Sequence, residues 1–426
     1  ALLTLAACVA SPTPMPTPTP TASFPTSTPR SPLPTLPPTP LPTVEPTSLQ
    51  ALLSEPPARP FVYTVVNSQP PRRVPNATRS FWVIDGATDQ RREIGARLRV
   101  QTEHIAIWVE QGVWHDVRQL EEVAVFLETH VYARTRASFG SEWTPGVDND
   151  PHLHILHATG LGDTVMGYTS AADEFPRTLY PTSNQAEMIT VHVDRVAVGS
   201  EAYYALLARE FQRLIQWYHD RNEARWVKEG LGQLAVQLNG FRQTQPEFVY
   251  LETPDTSLTT WPDGETSSNL GAAYLFAAYF YERFGDPGTQ AVIGQSLNGT
   301  AGFDAALSDL SADVDFEGLF GEWLVANYLD SVPGGDARYS YAGMDLPSPA
   351  LAASSDSYPV DLDAAVAQFG VDYVRLQGER DLHVRFQGQQ ATPLLTFPAH
   401  SGHACWWSNR ADGSLARHHF TIRAKD

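Results

Sequence analysis

The sequence is poor in cysteine, in basic residues and in long apolar runs. Its 426 residues include two cysteines, Cys8 and Cys405, so at most one intrachain disulfide can form. No internal apolar run is long enough to cross a bilayer, and the body of the chain is therefore not expected to span a membrane. Lysine and arginine total 29 against 48 acidic residues, which gives a net charge of -19. Because this surplus repels nucleic acid and no basic patch interrupts it, no nucleic-acid partner is expected.

The one membrane-directed signal lies in residues 1–8. Leu5-Ala6-Ala7-Cys8 resembles a bacterial lipobox at the end of a signal peptide whose basic beginning is missing. The alternative is a short apolar run with a chance cysteine. A lipobox predicts acylation of Cys8 and a cell-surface lipoprotein, outside the cytoplasm, that is held to the bacterial membrane by its lipid anchor alone. Once Cys8 is acylated, Cys405 has no intrachain partner, so no disulfide is expected.

Proline, threonine and serine dominate the segment that follows. Residues 11–46 hold fourteen of the 34 prolines and have no hydrophobic periodicity. Such a composition cannot pack a core and favours polyproline II, so residues 9–60 are predicted to form an extended, semi-stiff tether between anchor and body.

The body predicts an α+β protein in three parts. Apolar alternation predicts strands at 81–84, 96–100, 105–109, 152–157 and 188–193, and helical spacing predicts a helix at 117–138. These elements, with two helices over 200–217 and 226–238, define an N-terminal part at residues 61–240. Apolar helices at 272–284 and 316–328 define a mostly helical part at 241–345. Short strands at 373–376, 382–386 and 394–397 define a small β domain at 346–426.

A motif on the helix after Ser200 carries the functional argument. It reads Arg209-Glu210-Phe211-Gln212-Arg213, and the next helix contains Trp226-Val227-Lys228-Glu229-Gly230. Residues four apart share one helix face, so Arg209 and Arg213 lie side by side with Glu210 between them in sequence.

This pair of motifs resembles the zincin metallopeptidases, and within them the gluzincin branch, where HEFQHxxxW is followed by W-x-N-E-G. More narrowly, the stretch from Phe81 to about Asp330 resembles the secreted bacterial peptidases related to hyicolysin and immune inhibitor A. The segments 139–150 and 323–328 contribute to this likeness. The resemblance covers more than half of the chain and implies a zincin-like mixed sheet beside an active-site helix.

Carried over by position, Arg209 and Arg213 stand where the family has its first two zinc ligands. Glu210 stands at the position of the catalytic base, Glu229 at that of the third ligand, and Lys228 replaces the usual asparagine. Arginine has no lone pair to offer a cation, and one remaining carboxylate is short of the three protein ligands that a catalytic zinc needs. No metal or other cofactor is therefore expected, although active relatives bind zinc.

The exchange conserves charge, since two guanidinium groups supply the +2 that zinc supplies in the family. We therefore expect a salt-bridge cluster that ties the two helices together; the alternative is that both arginines point to solvent. Other histidines are poor substitutes as ligands. Only His219 lies between Glu210 and Leu382, and it falls off the arginine face, while His192 is more simply a sheet residue.

The leading functional prediction is a catalytically inactive peptidase homologue that binds polypeptide or cell-surface material. Zincins hold substrate as an added strand beside the active helix, and the strand with Thr190, Val191 and His192 is the candidate edge. Two alternatives remain open. One is an active zinc endopeptidase with a non-standard ligand set, and the other is a structural envelope spacer. No residue identifies the ligand, and none indicates an oligomeric state.

Overall fold

The computed structural model describes residues 64–86, 88–242, 245–330 and 337–377, and the backbone of four strands between residues 382 and 424. The predicted lipobox with Cys8 and the predicted tether at 9–60 lie outside the described residues. Cys405 lies on one of the four C-terminal strands. Among the described residues, no helix is long and apolar enough to cross a membrane.

A six-stranded mixed sheet forms the first part of the body. Its strands are β1 (Thr78–Asp85), β2 (Gln90–Gln101), β3 (Ile105–Glu110), β4 (Leu153–Ala158), β5 (Gly167–Tyr168) and β6 (Met188–His192). They are arranged in the order β1-β2-β3-β4-β6-β5. β3, β4 and β6 are parallel, whereas β1, β2 and β5 pair antiparallel with their neighbours. All five strands predicted for this part are confirmed, and β5 is an additional short strand at the edge.

A long helical segment connects β3 to β4 and covers one face of the sheet. It consists of α1 (Val117–Phe126), a π-helical stretch (Leu127–Tyr132) and α2 (Ala133–Phe139), so the predicted helix is confirmed. The Asp116 carboxylate accepts a hydrogen bond from the Arg118 backbone N–H and caps its first turn. Apolar side chains of this segment, Leu120, Val123 and Leu127 among them, are buried.

Two helices that carry the Arg–Glu motif follow β6. α3 (Glu201–His219) begins where predicted, with the Ser200 hydroxyl accepting a hydrogen bond from the Tyr203 backbone N–H. α4 (Arg225–Leu238) ends at Asn239. Next along the chain come α5 (Pro246–Glu252), α6 (Ser267–Ile293), α7 (Gly299–Asp309) and α8 (Phe316–Leu329). α6 kinks at Gly285, which has a φ of 60° two residues before Pro287. The short helices α5 and α7 were not predicted.

The C-terminal strands form two small sheets, which confirms the predicted change to β structure. They are β7 (Ala353–Ser355), β8 (Val360–Val366), β9 (Val371–Leu376), β10 (Leu382–Gly388), β11 (Leu394–Phe397), β12 (His403–Trp407) and β13 (Ala416–Ala424). One sheet has the order β10-β13-β8 and the other β11-β12-β9-β7.

The main hydrophobic core is shared by all three predicted parts. It contains Leu206 of α3, Phe276 of α6 and Tyr373 of β9. A second, smaller core lies on the other face of the six-stranded sheet and contains Phe81, Trp108 and Leu156. The architecture combines α and β structure in the way the predicted α+β class requires, while the predicted domain boundaries stay predictions.

Candidate functional site

The arginine and glutamate side chains of α3 and α4 lie together where these helices pack. Two glycines of α4 allow the close approach. A Cβ on Gly230 would lie 2.5 Å from the Ala273 carbonyl oxygen of α6, and one on Gly232 would lie 3.1 Å from Cγ of Arg209. Gly230 therefore lets α4 pack closely on α6, and Gly232 lets it approach the arginine face of α3.

Three ion pairs link the four side chains. Nη2 of Arg209 lies 3.1 Å from Oε1 of Glu210, and Nη2 of Arg213 donates to Oε1 of Glu229 at 2.7 Å. Nε of Arg213 lies 3.9 Å from Oε1 of Glu210. Arg213 thus connects the glutamate on its own helix to the glutamate on the next, and we call the four residues the Arg–Glu cluster.

The second oxygen of Glu210 is bound to the sheet edge. Oε2 accepts hydrogen bonds from the backbone N–H and the hydroxyl of Thr169, both at 3.2 Å. Thr169 directly follows β5, so it ties this carboxylate to the outermost strand. Both carboxylate oxygens of Glu210 therefore have protein donors. These bonds hold the Glu210 carboxylate between Arg209 and the edge of the sheet.

Charge in the cluster is buried on one side and accessible on the other. The glutamate side chains are almost fully buried, at 2% exposed for Glu210 and 10% for Glu229. The arginine side chains remain 28% exposed at Arg209 and 23% at Arg213. Burial alone lowers the pKa of Arg213, but the charges of Glu229 and Glu210 outweigh it and raise that pKa above its usual value. The guanidinium stays charged and cannot coordinate a metal ion.

Lys228, beside Glu229, adds a third cation. It is half-buried, and its pKa is lowered by burial and by the neighbouring Arg213 guanidinium. Among the described residues its ammonium group has no carboxylate within salt-bridge distance and no hydrogen-bond partner. The charges of Glu229, Glu223 and Asp220 act in the opposite direction and raise that pKa, so Lys228 also lies near two buried carboxylates outside the cluster.

The prediction that the strand with Thr190, Val191 and His192 forms the edge of the sheet is wrong. β6, which carries Thr190, Val191 and His192, pairs with β4 on one side and with β5 on the other, so the edge of the sheet beside α3 is β5. The three residues are buried. A two-residue strand is too short for periodicity to reveal it, and Gly167 within it gave no apolar signal.

His192 lies apart from the Arg–Glu contacts. Its Nδ1 is 2.8 Å from the Val165 carbonyl oxygen, and its Nε2 is 3.4 Å from Oδ2 of Asp194. Its ring is therefore engaged by the loop that precedes β5, as a sheet residue would be.

A second buried ionic cluster lies on the other face of the sheet. Arg73 donates from Nε to Asp150 at 2.5 Å and from Nη2 to Asp148 at 3.1 Å. Asp148, Asp150 and His154 are close enough to one another to hold a metal ion. The donor set fits a metal poorly, because Arg73 already neutralises both carboxylates. The indole N–H of Trp108 donates to Nδ1 of His154 at 2.9 Å, which leaves the proton of the neutral ring on Nε2.

Two more carboxylates extend this second cluster. Glu174 and Glu187 are both buried, and burial raises the pKa of Glu187 to about 7. Burial and the charge of Glu187 raise the pKa of Glu174 well above its usual value. One proton is therefore shared by the pair near neutral pH. Oε1 of Glu187 also accepts the backbone N–H of Val147 at 3.0 Å, which joins the pair to the loop that carries Asp148.

Sequence reasoning missed Thr169 and this second cluster. The segment that contains Asp148 and Asp150 contributed to the family resemblance, but no residue role was drawn from it. Arg73 lies 77 positions from its partner Asp150, and Glu187 lies 40 positions from its partner Val147. Only the tertiary fold brings these residues together. A search of family models found no match to this chain, and a search of curated proteins found none either.

Proposed function

We propose that this chain is a zinc-free, zincin-like peptidase homologue that binds extended polypeptide or cell-surface material outside the cell, held to the membrane through acylated Cys8. One observation carries the proposal. The two positions at which the resemblance implies zinc-binding histidines hold guanidinium groups, and these are paired with Glu210 and Glu229.

The order of elements supports the zincin-like part of the proposal. A mixed sheet is followed by α3 with the R-E-F-Q-R motif, then by α4 with Glu229, then by further helices. In the resembled family this order places the base and the third ligand on adjacent helices. Here the same two carboxylates lie on adjacent packed helices and are joined through Arg213.

The edge of the six-stranded sheet supports the binding part. β5 has a strand partner, β6, on one side only among the described residues. An extended peptide can pair with such an edge through main-chain hydrogen bonds, which need no metal. Thr169 then positions the Arg–Glu cluster directly beside the bound strand.

Two alternatives make different demands on the same site. An active peptidase needs a metal-bound or base-activated water, whereas both oxygens of Glu210 accept hydrogen bonds from Arg209 and Thr169. An envelope spacer needs no ligand site at all. The side of β5 that has no strand partner among the described residues favours binding over a spacer, since an extended peptide can pair with it.

The proposal is tested by metal content, hydrolysis and binding on the same preparation. Purified protein is expected to contain no stoichiometric zinc by elemental analysis and to leave casein uncleaved. It is also expected to raise the fluorescence anisotropy of labelled, unfolded casein, and not that of a folded acidic protein labelled in the same way. Stoichiometric zinc that a chelator removes together with casein cleavage would refute the proposal.

A double substitution supplies the matched control for zinc. Arg209→His with Arg213→His restores the H-E-F-Q-H pattern beside Glu229, which provides the three protein ligands of a catalytic zinc site. This variant is expected to bind zinc under conditions in which the wild-type chain binds none. Equal zinc in both proteins would mean that the wild-type metal lies elsewhere.

A further inference from the structure

A cavity of about 290 Å³ lies at the C-terminal end of α4. Side chains of α4, α5 and α6 line it, together with Phe241 after α4 and Met344 before β7. Its volume is close to the lower end of the range of small-molecule sites, which is roughly 300–1,000 Å³. None of the four residues of the Arg–Glu cluster is among the described residues that line the cavity, so the two sites are distinct.

Amide and carboxyl groups without protein partners line this cavity. Gln233 of α4 is only 7% exposed, and among the described residues its side-chain amide has no hydrogen-bond partner. Oε1 of Gln237, one turn further along α4, and Oε2 of Glu247 on α5 are buried and also lack a partner. Buried polar groups are normally hydrogen-bonded, because each one left unpaired costs free energy. A ligand that supplies the missing bonds is therefore stabilised in this cavity.

The charged side chains at the cavity give no strong preference for an ion. Burial raises the pKa of the Glu247 carboxyl, while a backbone hydrogen bond and the charge of Arg242 oppose that shift. Arg242 and Asp345 are exposed to water, which weakens the field of both. The glutamine amides need both a donor and an acceptor from their partner, and neither an anion nor an ammonium group alone supplies both. These conditions favour a neutral ligand that donates and accepts hydrogen bonds.

We propose that this cavity binds a neutral saccharide through Gln233, Gln237 and Glu247. Each sugar hydroxyl both donates and accepts, which matches amides that carry a donor nitrogen and an acceptor oxygen. Neighbouring hydroxyls of a sugar ring lie side by side, as the two polar atoms of an amide or a carboxyl group do. Phe241 and Phe248 in the lining supply apolar surface for the C–H face of the ring. This inference adds a second site to the proposed function and does not depend on binding at β5.

Ligand-observed saturation-transfer NMR with the full chain tests the proposal. The sugars used are glucose, galactose, mannose and N-acetylglucosamine, and at least one of them is expected to bind with a Kd of about 1 mM. Diaminobutane, which at neutral pH offers donors only, and N-acetylglycinamide, which has no hydroxyl, are the comparison ligands. Both are expected to bind at least about tenfold more weakly than the best sugar.

Substitutions show whether the sugar occupies this cavity. Gln233→Ala removes both polar atoms of the most buried amide and should weaken sugar binding by about tenfold, because sugar hydroxyls then lose their partners. Gln237→Ala should weaken binding in the same direction. Gln90→Ala, at an exposed glutamine on β2 outside the cavity lining, is the matched control and should leave the affinity unchanged.

Two results would overturn the saccharide site. One is that no sugar binds, or that diaminobutane or N-acetylglycinamide binds as tightly as the best sugar. The other is sugar binding that survives in both Gln233→Ala and Gln237→Ala, because the sugar then lies elsewhere. Circular dichroism melts show which variants are folded, and Gln237→Ala decides the question if Gln233→Ala is unfolded. Casein binding is measured separately, so loss of the saccharide site leaves the proposed function standing.

Discussion

Replacing Glu229 by alanine is the most direct test of how the Arg–Glu cluster contributes to stability. Its carboxylate accepts the 2.7 Å hydrogen bond from Arg213, and removing it leaves that guanidinium with the more distant Glu210 carboxylate, at 3.9 Å. Breaking a buried pair in this way costs about 3–5 kcal/mol. Arg213 keeps 23% of its side-chain surface, so water recovers part of that cost, and we expect about 2–3 kcal/mol.

Urea denaturation followed by circular dichroism measures this change, and a loss of 2–3 kcal/mol should also lower the melting temperature by roughly 3–5 °C in a body of this size. Glu121→Ala on the exposed surface of α1 is the matched control, with an expected change within about 0.5 kcal/mol. Arg213→Ala combined with Glu229→Ala should recover part of the loss, because the Arg213 guanidinium of α3 is then no longer left without Glu229. A loss below about 0.5 kcal/mol for Glu229→Ala would show that the pair is solvated and does not join the helices.

Two further predictions concern the second ionic cluster. The pKa of Glu187 is raised to about 7, so the stability that its protonated form contributes is complete below the unfolded pKa and is lost as the pH rises through 7. The free energy of unfolding of the wild-type chain minus that of Glu187→Gln should therefore fall by about 1.4 kcal/mol per pH unit between pH 5 and 7 in urea denaturation. A difference that stays constant over this range would contradict the prediction. Gly146 has a φ of 80°, and a Cβ there would overlap the Glu187 carboxylate. Gly146→Ala should therefore lower the free energy of unfolding by about 1–3 kcal/mol in the same measurement. Gly264→Ala, where a Cβ meets no neighbour, is its control and should change stability little.

The regular elements of the fold were largely predictable because their signals are local. Strand alternation at 105–109 and helical spacing at 117–138 each come from burial of one face, and burial of one face imposes a period on the sequence. The Ser200 cap is equally local, since its hydroxyl reaches the N–H only three residues on. β5 was not predicted because two residues cannot show a periodic pattern. α5 and α7 were not predicted because each is short.

The Arg–Glu cluster was predictable in part, and its surroundings were not. Arg209 and Arg213 are one helical turn apart, so helix geometry alone places them side by side. Glu229 lies on the next helix, and its place beside them was expected only from the resemblance to the zincins. Thr169 reaches Glu210 across 41 positions of sequence, and Arg73 reaches Asp150 across 77. Contacts of such separation depend on how the sheet and loops pack, and no periodic signal in the sequence records them.

The two arginines act as a unit, and this constrains how such a cluster can be built. With one guanidinium and one neutral histidine, Glu210 and Glu229 would hold two negative charges against one positive charge in a largely buried setting, which is costly. With both arginines the four charges balance, as they would with zinc and two histidines. Lys228 does not upset this balance, because the charges of Glu223 and Asp220 act on its ammonium group together with that of Glu229. The four charged side chains of the cluster therefore account for one another, as a role in joining the two helices requires.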